Sequence, residues 1–208
     1  MTDVDSGLRD IAEIRSMMER STKFLSLSGF GGIGAGLVAL GGAWIAREIL
    51  ASDGIAPDAL AGSVALAPGT RSRLVLLGLA VLALALAVSW YFARRLMRRQ
   101  GGTAQSGVVR SLILALAVPV LVGALLSILF LFHGVLWLVA PTMLIFYGLG
   151  LFSAGTFTFG GVRMLGLLQI LLGLAAAVMP QAGFSLWTTG FGLLHIVYGI
   201  LFFRKYRQ

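Results

Sequence analysis

The chain has 208 residues, of which 58% are hydrophobic and 12% charged, with a mean hydropathy of +0.95. Soluble domains carry about 25% charged residues, so half that density points to lipid as the solvent for most of the chain. Cysteine is absent, which excludes disulfides, thiolate metal sites and cysteine nucleophiles. The net charge of +8 sits at the ends of apolar runs, where it meets anionic headgroups; no basic face is long enough to track a nucleic acid.

Acidic residues are confined to one end. All eight are Asp3, Asp5, Asp10, Glu13, Glu19, Glu48, Asp53 and Asp58. No carboxylate side chain follows, so the later spans have no acid for proton or cation coupling and none for a metal site built with the two histidines.

In chain order, residues 6–23 read as a cytoplasmic amphipathic helix. Leu8, Ile11, Ile14 and Met18 keep helical spacing. Arg15/Glu19 and Glu19/Lys23 are i,i+4 ion pairs, and Asp5 or Ser6 caps the start. Such a helix lies on the membrane or docks a cytoplasmic protein or a second copy. Charges of both signs through position 23 do not fit a cleavable signal peptide, and the first apolar run is expected to act as an uncleaved anchor.

The remainder, 24–208, reads as one transmembrane domain. About 20 apolar residues cross a bilayer, and six stretches qualify: Leu25–Ala46, Leu74–Ala93, Ser111–Phe132, Val135–Ala154, Met164–Met179 and Phe184–Phe203. The fold class is therefore all-α, a polytopic membrane protein with six helices. The fifth stretch is short, with Arg163 free to snorkel. Spans three and four form a tight hairpin around His133-Gly134. Pro119 and Pro141 are expected to kink them. Asp53-Gly54, Pro57-Asp58 and Pro68-Gly69 mark turns in a loop from Arg47 to Arg73.

Basic residues orient the bundle. With the N-terminus inside, cytoplasmic segments hold Arg9, Arg15, Arg20, Lys23, Arg94, Arg95, Arg98, Arg99, Arg110, Arg163, Arg204, Lys205 and Arg207, against Arg47, Arg71 and Arg73 outside. That bias favours N-in/C-in in a bacterial inner membrane, with Arg71 and Arg73 the discordant pair.

Small residues let membrane helices approach closely. Span one carries Gly29, Gly32 and Gly36, and Gly166/Gly173 and Gly192/Gly199 repeat a seven-residue spacing in spans five and six. Gly29, Gly32 and Gly36 form either an internal packing face or a homo-oligomer face. A phosphate-binding role for this glycine run lacks the preceding strand.

Polar residues at membrane depth are the functional candidates. Gln169 and His195 lie equally far from the turn between spans five and six, which puts them at one depth, with Tyr198 one helical turn on. A Gln169–His195 hydrogen bond is expected, serving as a structural clasp or as part of a solute or proton path. Ser127, Ser153, Thr156, Thr158, Thr188 and Thr189 are candidate hydroxyls for a neutral or anionic pathway. His133 and His195 fall at different depths, which does not suit paired haem ligation. Ser28-Gly29 is similar to part of the rhomboid protease motif, but Ser26 replaces its preceding glycine.

The run Arg15-Ser-Met-Met-Glu-Arg-Ser-Thr-Lys-Phe-Leu-Ser-Leu-Ser-Gly29 resembles the start of uncharacterised bacterial membrane proteins, which bring no activity. Leu165-Gly166…Gly173…Pro180 and Gly190…Tyr198-Gly199 are similar in pattern to the HdeD-type acid-resistance membrane proteins. That resemblance covers the last two spans and implies a six-helix bundle of hairpins with a stress role. The N-terminal amphipathic segment departs from that pattern. The expectation is a non-enzymatic membrane protein, structural or stress-related, with no catalytic, metal or cofactor residues assigned; a small channel or transporter for a neutral or anionic solute is the alternative.

Overall fold

In hydrocarbon every backbone N–H and C=O must be satisfied within the chain, so apolar runs of this length form helices. The computed structural model describes residues 28–57, 60, 66–100, 106–157 and 160–206. The amphipathic segment expected at 6–23 lies outside them. The described residues are all-helical, and six helical stretches are long and apolar enough to cross a membrane: Gly29–Ser52, Pro68–Arg95, Arg110–Phe132, Leu136–Ala154, Gly161–Val178 and Pro180–Arg204.

The helices are α1 (Ser28–Ser52), α2 (Pro68–Gln100), α3 (Ser106–Phe132), α4 (Val139–Ala154) and α5 (Gly160–Val178). The sixth span comprises α6 (Gly183–Thr188), a π-helical turn over Thr189–Leu194, and α7 (His195–Tyr206). Successive spans alternate in direction. Phe30 of α1 stacks with Phe92 of α2 and meets Phe203 of α7 edge-on, so those three ends lie together at what we term the termini end. Leu50, Leu66, Leu131 and Leu136 gather at the opposite, loop end, with Leu74 and Val75 against them.

Several boundaries differ from the sequence expectation. The 47–73 loop is shorter, because α1 runs on to Ser52 and α2 already begins at Pro68. Proline at the first helical position lacks an N–H that would be unpaired anyway, so Pro68-Gly69 opens a helix and is not a turn. Gly54 does turn the chain, with φ +71°. The fifth span is not short: α5 starts at Gly160 and includes Arg163, whose guanidinium lies 4.4 Å over the Phe152 ring. Pro141 falls in the first turn of α4, where it removes no helical hydrogen bond. The break in span four comes earlier, where a 3-10 turn over Leu136–Leu138 leads into α4. Pro119 lies inside α3 as expected.

Arg71, discordant by charge placement, has a structural position. Its Nε donates to the Leu66 carbonyl at 3.0 Å and its Nη1 to the Phe132 carbonyl at 3.2 Å. The second bond caps the C-terminal end of α3, where unpaired carbonyls and the helix dipole favour a cation. Thr70 beside it is buried and donates to Asp53 Oδ2, so the start of α2 is tied to both neighbouring connections.

Packing follows one seven-residue pattern. Gly29, Ile33 and Gly36 of α1 oppose Gly192, Ile196 and Gly199 of the sixth span, running antiparallel. A Cβ at Gly36 would stand 2.7 Å from the Gly192 carbonyl oxygen, and one at Gly29 would stand 2.8 Å from that of Gly199. Gly32 faces the His195 carbonyl in the same seam, at 3.3 Å for a Cβ. The face formed by Gly29, Gly32 and Gly36 is thus occupied by the chain's own last span. The α4–α5 pair repeats the pattern: Gly166, Ile170 and Gly173 oppose Ile145 and Gly148, with Pro141 in place of the fourth glycine. The sixth span joins the two pairs, since α6 lies against α4 and α5 while α7 lies against α1. On the flanks, α2 packs on α1 and α3 packs on α4.

Candidate functional site

The polar side chains at membrane depth converge on one backbone carbonyl. Gln169 sits midway along α5 and is 0% exposed; His195, at the end of the π turn, is 6% exposed. The Gln169 Nε2 donates to the Gly190 carbonyl at 2.7 Å, and His195 Nδ1 lies 2.9 Å from the same oxygen. A carbonyl only accepts, so Nδ1 carries the imidazole proton and Nε2 holds a lone pair. The Tyr147 hydroxyl, 2.8 Å from Nε2, is then the donor to it. The order is Tyr147 O–H to His195 Nε2, then His195 Nδ1–H to the Gly190 carbonyl, with Gln169 Nε2–H donating to that carbonyl from the other side.

The expected Gln169–His195 hydrogen bond is replaced by this arrangement. The two nitrogens are 3.5 Å apart, and with both protonated neither can accept from the other. Their link runs through Gly190.

The local sequence explains the geometry. A π turn widens the helix and disturbs its regular backbone bonding, and such turns recur at functional positions. Here it brings His195 back onto the carbonyl five residues earlier. Glycine at 190 leaves room for the partners: a Cβ would stand 2.5 Å from Leu144 Cδ2 and 2.6 Å from Gln169 Oε1.

Aromatic rings continue the site. Trp187 packs on Phe191 with centroids 5.0 Å apart, Phe191 on Tyr147 at 5.0 Å, and Tyr147 on His195 at 5.4 Å. Tyr198, grouped by the sequence with Gln169 and His195, is placed differently. Its ring lies beside Phe202 and the start of α5, with its hydroxyl 3.4 Å from where a Cβ of Gly161 would be. Tyr147, Gly190, Trp187 and Phe191 were not anticipated. The available signal was a glycine five residues before an intramembrane histidine, a spacing that only a π turn makes meaningful.

Among the described residues, Gln169 Oε1 and Trp187 Nε1 are buried polar atoms without a hydrogen-bond partner. The hydroxyls considered for a pathway mostly bond backward into their own helices. Ser127 donates to the Gly123 carbonyl, Thr188 to that of Phe184, and Thr156 to that of Ser153. Thr158 lies outside the described residues. Among the described residues, no three His, Cys, Asp or Glu side chains group as a metal site would require.

Neither protein-family models, nor curated proteins, nor solved structures gave a match to the chain.

Proposed function

We propose that this is a non-enzymatic, multi-pass protein of the bacterial inner membrane with a structural or scaffolding role, oriented N-in/C-in. The observation that carries the reading is the direction of the intramembrane polar groups. The Tyr147 hydroxyl, both His195 ring nitrogens and Gln169 Nε2 are spent on one another or on the Gly190 carbonyl, and the Ser127, Thr156 and Thr188 hydroxyls turn back onto the preceding turn of their own chain. A solute pathway needs polar groups presented to an opening; a clasp needs them satisfied within the bundle. The stress role implied by the HdeD-type resemblance belongs to this proposal, as do homo-oligomer formation and a cytoplasmic partner through residues 6–23.

The test is reconstitution of the full chain in liposomes with glycerol, urea and chloride flux assays. The expected result is no flux above protein-free vesicles. Flux that Gln169→Leu abolishes would overturn the proposal. It would establish the second reading, a pathway for a neutral or anionic solute, which Gln169 Oε1 and Trp187 Nε1 favour as buried polar atoms without a partner. Orientation is checked separately with a C-terminal reporter active only outside the cell, which should stay silent.

A further inference from the structure

The flank between α2 and α3 has a composition the rest of the bundle lacks. The two helices follow one another in sequence, yet they are not packed along their lengths; each lies instead against its inner neighbour, α1 or α4. Their named side-chain link is at the loop end, where Arg71 reaches the Phe132 carbonyl and Leu74 and Val75 meet the Leu131 cluster. At the termini end only residues 101–105 join Gln100 to Ser106, so the two helix ends stand within about 20 Å of each other. Both walls are uncharged, from Leu74 to Ala93 and from Ser111 to Phe132.

Arginines stand near the termini ends of both helices. Arg94 and Arg95 lie on the α2 side and Arg110 on the α3 side, all exposed. The Arg94 guanidinium rests 5.0 Å over the exposed Trp90 ring, which holds it along the wall of α2. The described carboxylates, Glu48 and Asp53, belong to the end of α1 and the turn after it, at the opposite end of the bundle. No acidic residue follows Asp58 in the sequence. These guanidinium groups therefore have no carboxylate beside them among the described residues.

We propose that an anionic phospholipid occupies this flank, with its phosphate on Arg94, Arg95 and Arg110 and its acyl chains between α2 and α3. Charge complementarity selects the anion, since Arg94, Arg95 and Arg110 are exposed at the same end of two uncharged helices with no carboxylate beside them among the described residues. The uncharged walls select a phosphate that carries apolar chains. A free phosphate would leave α2 and α3 uncovered, and a zwitterionic lipid would bring its own cation to a site already cationic.

The experiment is native mass spectrometry of the full chain from mixed micelles containing equal phosphatidylglycerol and phosphatidylcholine. The chain is expected to retain phosphatidylglycerol selectively. Arg94→Gln/Arg110→Gln should lower that retention by about tenfold or more, given the usual worth of each basic residue near an anionic headgroup. Arg163→Gln/Arg204→Gln removes the same charge from the same end but away from this flank, and should leave retention within about threefold of the parent. Arg94→Lys/Arg110→Lys keeps the charge and should keep most of the binding, which separates lipid loss from misfolding. Equal losses in the two glutamine pairs, no preference for phosphatidylglycerol, or displacement by millimolar inorganic phosphate would each overturn the proposal.

Discussion

The four inner spans and the two flanking ones are all apolar enough for the bilayer, but they are held in different ways. Spans one, four, five and six meet through glycines opposed to backbone and to isoleucine. In α2 and α3 glycine is scarce and leucine, valine and alanine dominate. Both glycines of α2, Gly69 and Gly78, face open space. Lipid tails are as apolar as leucine, so burying leucine between helices gains little and close backbone approach gains more. The difference teaches that, in this chain, hydropathy decides which segments enter the membrane, while glycines opposed across a seam mark where two backbones come closest; α2 and α3 pack on α1 and α4 through side chains.

That contrast can be broken at single positions. The largest effect is expected at the inner seam. Gly36→Leu puts its side chain against the Gly192 carbonyl and the Ile196 backbone, which cannot move aside as a side-chain tip would, and should cost about 3 kcal/mol or prevent folding. Gly78→Leu on α2 meets nothing and should stay within about 0.5 kcal/mol of the parent. Denaturation in mixed detergent reads both, and equal losses would erase the distinction between inner and flanking spans.

The polar clasp ranks next. His195→Phe removes the acceptor for Tyr147 and one donor to the Gly190 carbonyl, at an expected cost of about 1–2 kcal/mol. Tyr147→Phe removes one bond and should cost about 0.6 kcal/mol. A double-mutant cycle between the two sharpens the point: a coupling near zero would mean that the tyrosine does not donate to the histidine. A smaller effect than that of His195→Phe is expected on the flank. Arg71→Met forfeits two partly exposed bonds to carbonyls and should cost about 1 kcal/mol, mostly by freeing the end of α3. Faster amide exchange near Phe132, with the α1–α7 seam unchanged, would be its signature.

The number and class of spans were legible because hydropathy integrates over a whole helix. The nearness of Gln169 and His195 was legible too, because a hairpin fixes relative depth by counting from its turn. Their bonding was not. It depends on a π turn at Thr189–Leu194, which inserts a shift that periodicity does not register, and on Tyr147 from a different hairpin. The seven-residue spacing of Gly166/Gly173 and Gly192/Gly199 was visible on single helices. Which helices it would pair was not, since spacing specifies a face and leaves its partner open. The role of Arg71 was not legible, because charge placement treats every basic residue as an orientation signal, whereas this one caps a helix.

The seam between α1 and the sixth span has a consequence in time. The α4–α5 pair closes as soon as its short connection has been made, but α1 must wait until Gly192, Ile196 and Gly199 have been synthesised. At ordinary elongation rates the interval between the end of α1 and those residues is on the order of ten seconds. Throughout it the glycine face of α1 lies open in the membrane, available to lipid, to an insertion factor or to a neighbouring nascent chain. The last span to emerge therefore closes the bundle around the first.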